Sequence, residues 1–300
     1  MDNFEKSIAI SGASGWLGRE TLNALENISC HEIELLTSNG RDLLFENDKK
    51  RSSQSFLDYN PPQSMEGFIH LAFLTRDKVD SVGIKNFIST NLSLISKACQ
   101  VIEFSKPKWV VVVSSGAILD RNSGQLESNI RSNPYGFCKR IEELLITQAA
   151  SKAGANVVIG RLWGASGRFM PPNPAYALSD FIISAQTQKK IMIKSGGQVI
   201  RRYVDAGEFM EVLIKAAISG KSLILDSGGP QVEIAELASL VAKHFTEVVV
   251  ERSPAEMTVD DYYPRGDDFE KLALDLGVTL SDINTQVSQT TLGHLSSLVE

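Results

Sequence analysis

The chain has 300 residues, 43% of them hydrophobic and 22% charged, with 30 basic against 36 acidic side chains and a formal net charge of -6. That length suits a large domain with a smaller appendage, or one large α/β unit, and the composition argues against disorder and fibrous repeats. Acids and bases are interspersed, which excludes the concentrated basic stripe that nucleic acid demands.

Met1 to Lys6 carries acids and runs straight into the short apolar stretch Ser7 to Ser11, whereas a secretory leader has a basic start and a longer apolar run. Ser7 to Ser11 reads as a buried strand feeding a helix that starts near Trp16, and Glu32 to Thr37 as a second strand. Gly67 to Ala72 and Trp109 to Val113 are further apolar strands, the latter β-branched at four successive positions. Between them Ile84, Phe87, Ile88, Asn91, Leu92, Ile95, Cys99 and Ile102 recur at helical spacing, which predicts a crossover helix over 83–104. A helix over 135–152 and a strand over 156–161 complete an α/β alternation, so the fold class is a Rossmann-type doubly wound parallel sheet. At Gly164 to Gly167, with Pro171, Pro172 and Pro174 following, the pattern becomes irregular. The reading is therefore a dinucleotide-binding domain over 1–163 and a smaller α/β substrate lobe over 164–300, with the chain free to cross back. Helices are expected over 177–189, 207–219 and 234–245, short strands over 191–194 and 248–251, and a helical tail from Asp267. No stretch spans a bilayer, so no membrane is expected. Cys30, Cys99 and Cys138 are odd in number and lack metal-ligand spacing; free thiols in a reducing, cytoplasmic compartment are expected, and no metal.

Gly12, Ser14, Gly15, Trp16, Leu17 and Gly18 lie between the first strand and the first helix, where bare backbone and a helix N-terminus suit a dinucleotide pyrophosphate. A structural strand-to-helix turn is the alternative. After the second strand Thr37, Ser38 and Arg41 offer hydroxyls and a cation, which favours the 2′-phosphate of NADP over NAD; a solvated loop charge is the other reading of Arg41. Asp58 suits the adenine amino group or a plain surface turn.

Tyr135 and Lys139 stand four residues apart at a helix start, so they share a face. A phenol titrating near ~10 exchanges protons at neutral pH only if a neighbouring cation lowers that value, and Lys139 is the expected cation. Ser114 and Ser115 follow the valine strand at its carboxyl end, where open sheets bind ligands; alone they would read as the end of a strand. The order glycine turn, serine, Tyr/Lys helix favours a catalytic set.

In Gly12 to Gly18, His70-Leu71-Ala72, Asn91, Ser114-Ser115-Gly116-Ala117, Tyr135 to Lys139, Arg161 to Gly164, Leu178 to Ile182 and Arg201 to Val204, the chain resembles the NAD-dependent epimerase/dehydratase family of extended short-chain dehydrogenases. The resemblance implies an oxidoreductase of nucleotide-linked sugars. Ser115 would sit beside the reacting carbinol, Tyr135 would be the acid/base and Lys139 the ribose-binding cation. Leu71, Ala72, Phe73, Asn91 and Ser114 would line the cofactor, while Gly116, Arg161, Leu178, Arg201 and Arg265 would meet the substrate, Arg201 being the first choice for a diphosphate and Arg202 and Arg265 weaker ones. Family dehydratases carry acids directly after the catalytic hydroxyl, where this chain has Gly116 and Ala117, so dehydration is disfavoured. A keto-sugar reductase ranks first, a 4-epimerase second, and a non-catalytic redox sensor or an enzyme of another small carbonyl behind them. Relatives commonly pair as homodimers through the helices read here over 83–104 and 135–152. Glu208 stands where relatives often carry Asp, and His70 and Cys138 are assigned no role.

Overall fold

Valine at four successive positions disfavours a helix and suits a strand covered on both faces, and Trp109–Ser115 is such a strand, fully buried up to its last residue. The structure is a computed structural model, which describes residues 7–26, 28, 32–44, 50–120, 124–254, 260 and 262–296. Two compact units emerge: Met1–Leu162 with Met210–Leu225, and Trp163–Phe209 with Asp226–Glu300.

The first unit runs β1 (Ser7–Ser11), α1 (Trp16–Glu26), β2 (Glu32–Thr37), β3 (Leu43–Leu44), β4 (Lys50–Arg51), β5 (Gln54–Ser55), β6 (Gly67–His70), α2 (Val79–Val82), α3 (Ile84–Ser105), β7 (Trp109–Ser115), α4 (Pro134–Ala153) and β8 (Asn156–Leu162). The chain continues through β9 (Gly164–Ser166), α5 (Ala177–Gln188), β10 (Lys190–Ile193), β11 (Ile200–Asp205), α6 (Ala206–Ile218), β12 (Leu223–Asp226), β13 (Gln231–Glu233), α7 (Ile234–Ala242), β14 (Val249–Arg252), α8 (Asp268–Asp275) and α9 (Ile283–Ser296).

A seven-stranded sheet in the order β12-β8-β7-β6-β1-β2-β5 dominates, and its ladders from β5 through β8 are parallel. This is the doubly wound sheet expected from the apolar runs. Ala9, Leu36, Phe68, Val110, Val112 and Ile159 meet Ala98, Val101 and Ile102 of α3 and Ile146 of α4 in one core. The buried face of α3 differs slightly from the predicted stripe. Phe87, Asn91, Ile95 and Ile102 are buried with Ala98 and Val101, whereas Ile84 and Leu92 are exposed.

The second unit holds a three-stranded sheet, β13-β11-β9, and a parallel pair, β10 with β14. Strands β9, β11 and β13 lie where no strand is predicted. The helical tail holds two helices, α8 ending before Gly277 with φ +65° and α9 starting at Ile283. Glu208 accepts from Ser281 N–H at 3.0 Å and from its hydroxyl, so it anchors the approach to α9. No helix among the described residues is long and apolar enough to cross a membrane. Cys99 and Cys138 are free thiols; Cys30 lies outside the described residues.

Candidate active site

The serine and the tyrosine are brought together by how α4 starts. Asn133 caps the helix, its Oδ1 accepting from Gly136 N–H at 2.9 Å, and Pro134 occupies the first helical position. The Asn133 amide donates to Ala117 O at 2.9 Å and to Glu127 at 3.1 Å, which ties the helix start to the turn after β7. A Cβ on Gly136 would lie 2.0 Å from Ala117 O, so only glycine permits this approach. Tyr135, the neighbour of Gly136, is thereby held near the turn that follows Ser115. Ser115 Oγ accepts from Ala117 N–H at 3.2 Å. Asn133 and Glu127 are absent from the residues singled out by sequence, although Asn-Pro before a helix signals a capped start.

Lys139 is buried on the same helix. Its ammonium donates to Val113 O and to Glu142, both at 2.8 Å, and sits 3.8 Å from the centre of the Phe73 ring. The same ring meets Tyr135 edge-on, with centroids 5.8 Å apart. The expectation that Lys139 would make Tyr135 acidic is not met in this geometry. Burial pushes the phenol up to about 12; Ser115 and Arg76 oppose the rise, and Glu142 and Asp77 add to it. A lysine already paired with a buried carboxylate has little net charge to offer.

In the glycine turn, Gly12 adopts φ +75°, and a Cβ there would lie 2.7 Å from Leu71 C. Gly12 and Gly18 are thus required by the protein's own backbone, a different reason from the predicted room for a ligand. Ser14 and Gly15 are exposed at the N-terminus of α1, with Trp16 and Leu17 half-buried behind them, so this end presents helix N–H groups to an anion. Ser114 Oγ is buried without a hydrogen-bond partner among the described residues. An exposed helix N-terminus and an orphaned hydroxyl at the carboxyl edge of one sheet fit a dinucleotide.

Several predicted contacts are already engaged. Thr37 Oγ1 accepts from Gly40 N–H and lies 3.0 Å from Ser53 Oγ, so it is not offered to a phosphate, while Ser38 and Arg41 are exposed. Asn91 accepts from Leu74 N–H at 2.8 Å and thus shapes the 71–75 segment from below. Arg161 forks onto Glu143 at 2.9 and 2.8 Å. Leu178 is fully buried in the core of the second unit. Arg201, the first choice for a diphosphate, forks onto Asp260 at 3.1 and 2.7 Å. Arg202 joins Gly229 O, Gly266 O and Glu270. Arg265 is exposed, stacked 4.5 Å above the Tyr263 ring. Gly116 is buried, Leu71 and Ala72 are half-buried and Asp58 is exposed.

A sequence profile described as "NAD dependent epimerase/dehydratase family" matches residues 8–223. Among curated proteins, 4-hydroxy-tetrahydrodipicolinate reductase of Rickettsia bellii (strain OSU 85-389) is 29% identical over 96 residues, which cover 32% of this chain and only 38% of that protein. Three solved structures align along nearly all of both chains. A UDP-N-acetylglucosamine 4-epimerase from Methanobrevibacter ruminantium M1, in complex with UDP-N-acetylmuramic acid, has TM-score 0.77 and 16% identity over 98% of this chain and 99% of its own. TunA, an NAD-dependent NDP-hexosamine 5,6-dehydratase involved in tunicamycin biosynthesis, has TM-score 0.75 and 14% identity over 97% and 98%. A UDP-glucose 4-epimerase from Brucella ovis, in complex with NAD, has TM-score 0.73 and 17% identity over 96% and 98%. At these identities the likeness is one of fold.

Proposed function

The chain belongs to the NAD dependent epimerase/dehydratase family, and from that premise we propose that it interconverts a carbinol and a ketone on a nucleotide-diphosphate sugar, with net reduction of a keto-sugar as its reaction. The observation that carries this reading is the close approach of the start of α4, which holds Tyr135 and Lys139, to the turn that follows Ser115 at the carboxyl end of β7. The nicotinamide of a bound NAD(P) would supply or accept the hydride. Ser115 holds the substrate oxygen with its hydroxyl, and Tyr135 passes a proton to or from that oxygen. Lys139, with two of its three donors on Val113 O and Glu142, has a third for a cofactor hydroxyl. Ser14, Gly15 and the first turn of α1 take the pyrophosphate.

Gly116 and Ala117 carry no proton donor, which supports simple hydride transfer over loss of water. Exposed Ser38 and Arg41 favour NADP, whereas the complex of the Brucella epimerase with NAD favours NAD; an Arg41→Ala variant that weakens NADP binding alone decides for NADP. In the second unit, Arg201, which also forks onto Asp260, and Arg265, which also donates to Tyr263, are the candidates for the diphosphate. Exposed Leu92 on α3 and Leu144 and Leu145 on α4 support a homodimer. Free Cys99 and Cys138 are in keeping with a cytoplasmic protein.

The two 4-epimerases among the structural neighbours favour a second reading, 4-epimerisation. Incubating the protein with nucleotide-linked sugars and keto-sugars, with each dinucleotide, separates the two. A reductase consumes reduced cofactor in step with product, whereas an epimerase inverts the sugar with no net change in cofactor absorbance. Absence of both reactions with every sugar tried would reject the proposal.

A further inference from the structure

Glu142 plays no part in the reaction proposed above, yet it is fully buried and touches one of its principal residues. Its Oε2 accepts from Lys139 Nζ at 2.8 Å, and its Oε1 lies 3.4 Å from His70 Nε2. Neither that oxygen nor that nitrogen has a hydrogen-bond partner among the described residues. Counting donors gives the chain a direction. Ser11 Oγ accepts the N–H groups of Leu71 and Ala72 at 3.2 and 3.3 Å, which occupies both lone pairs, so its own proton goes to His70 Nδ1, 2.7 Å away. Burial and the charge of Lys139 lower the imidazole to about 3 and keep it neutral. With Nδ1 accepting, the one ring proton is on Nε2, facing Glu142. A histidine from β6 and a lysine from α4 thus converge on one carboxylate, that of Glu142.

We propose that Glu142 is a positioning residue for the Tyr135/Lys139 pair: it fixes the ammonium against Val113 O and, while ionised, cancels the charge that Tyr135 would otherwise feel, so that the protonation of Glu142 sets how acidic Tyr135 is. The proposal rests on the roles assigned to Tyr135 and Lys139 above. Around Glu142 stand Lys139, Cys138 and Glu143 on its own helix, His70 on β6 and Cys99 on α3, with Arg161 of β8 taken up by Glu143. Around Tyr135 stand Ser115, Phe73, Arg76 and Asp77. Burial lifts Glu142 to about 7, with Lys139 pulling down and Glu143 pushing up, so the carboxylate changes charge near neutral pH.

The test is an NMR titration of protein carrying carbon-13-labelled tyrosine, with Tyr135→Phe to assign the signal. In the wild-type protein the Tyr135 signal should show a first inflection near pH 7, as Glu142 ionises, well below the ionisation of the phenol itself. In folded Glu142→Gln that inflection disappears and the phenol titrates lower by roughly one pH unit or more. Glu142→Asp, which keeps the charge, returns the midpoint toward the wild-type value. A wild-type signal with no inflection near neutrality overturns the proposal even if the variants do not fold. An unmoved midpoint in Glu142→Gln, or an equal fall in Glu142→Asp, also overturns it. The titration uses neither cofactor nor sugar, so its failure is distinct from a failure to find a substrate.

Discussion

Replacing His70 by Gln should change how the protein's stability depends on acidity. His70 is fully buried and its folded-state value is depressed from 6.5 to about 3, first by burial and then by Lys139. As pH falls below 6.5 the unfolded chain takes up a proton that the folded chain refuses, so stability declines by about 1.4 kcal/mol per pH unit until the folded value is reached. Glu142 works in the opposite sense. Its folded value is raised from 4.5 to about 7, so between those limits the folded protein holds a proton the unfolded chain has released, and stability declines as pH rises. From pH 4.5 to 6.5 the two slopes oppose each other and nearly cancel. The His70→Gln variant keeps only the Glu142 slope, and over those two units its stability should rise on acidification by about 3 kcal/mol relative to the wild-type protein. Urea unfolding of both proteins at half-unit steps of pH measures the difference directly. Curves that run parallel from pH 4.5 to 6.5 would refute a neutral buried imidazole at this position.

Other substitutions test the rest of the site. Arg161→Ala leaves Glu143 buried without its two hydrogen bonds and should cost about 3 kcal/mol in chemical unfolding; a loss under about 1 kcal/mol would mean the carboxylate finds another partner. Gly12→Ala combines φ +75° with a contact 2.7 Å from Leu71 C and should destabilise the fold by about 2 kcal/mol or more. Gly15→Ala meets only Gly12 O at 3.3 Å and should leave the melting temperature within a few degrees while weakening the stabilisation that NAD(P) confers. Equal losses of stability in the two glycine variants would contradict the different reasons given for them.

What the sequence displays well is the large sheet. The valine run of β7 and the apolar stretches of β1 and β6 are self-announcing because strands buried on both faces carry little else. Strands β9, β11 and β13 are not legible, since Gly164, Arg201 and Arg202 have no strand pattern and are extended because their partners are. The site divides along the same line. Ser115, Tyr135 and Lys139 are local in pattern and stand out by spacing, Ser115 closing β7 and the other two opening α4. The engagement of Arg161 with Glu143 and of Arg201 with Asp260 depends on partners 18 and 59 residues away, which no window of sequence reveals. His70 carries a signal of its own: a histidine closing an apolar buried strand needs a partner. Glu142, three residues past Lys139 on one helix, is the readable half of that network.

Tyr135→Phe probes the core of the account most directly. With a nucleotide-linked keto-sugar and reduced dinucleotide, the wild-type protein should turn over while the variant falls by about a hundredfold to ten-thousandfold, both showing the same rise in melting temperature on binding the dinucleotide. A variant that consumes cofactor at the wild-type rate would contradict the assignment of proton transfer to this phenol.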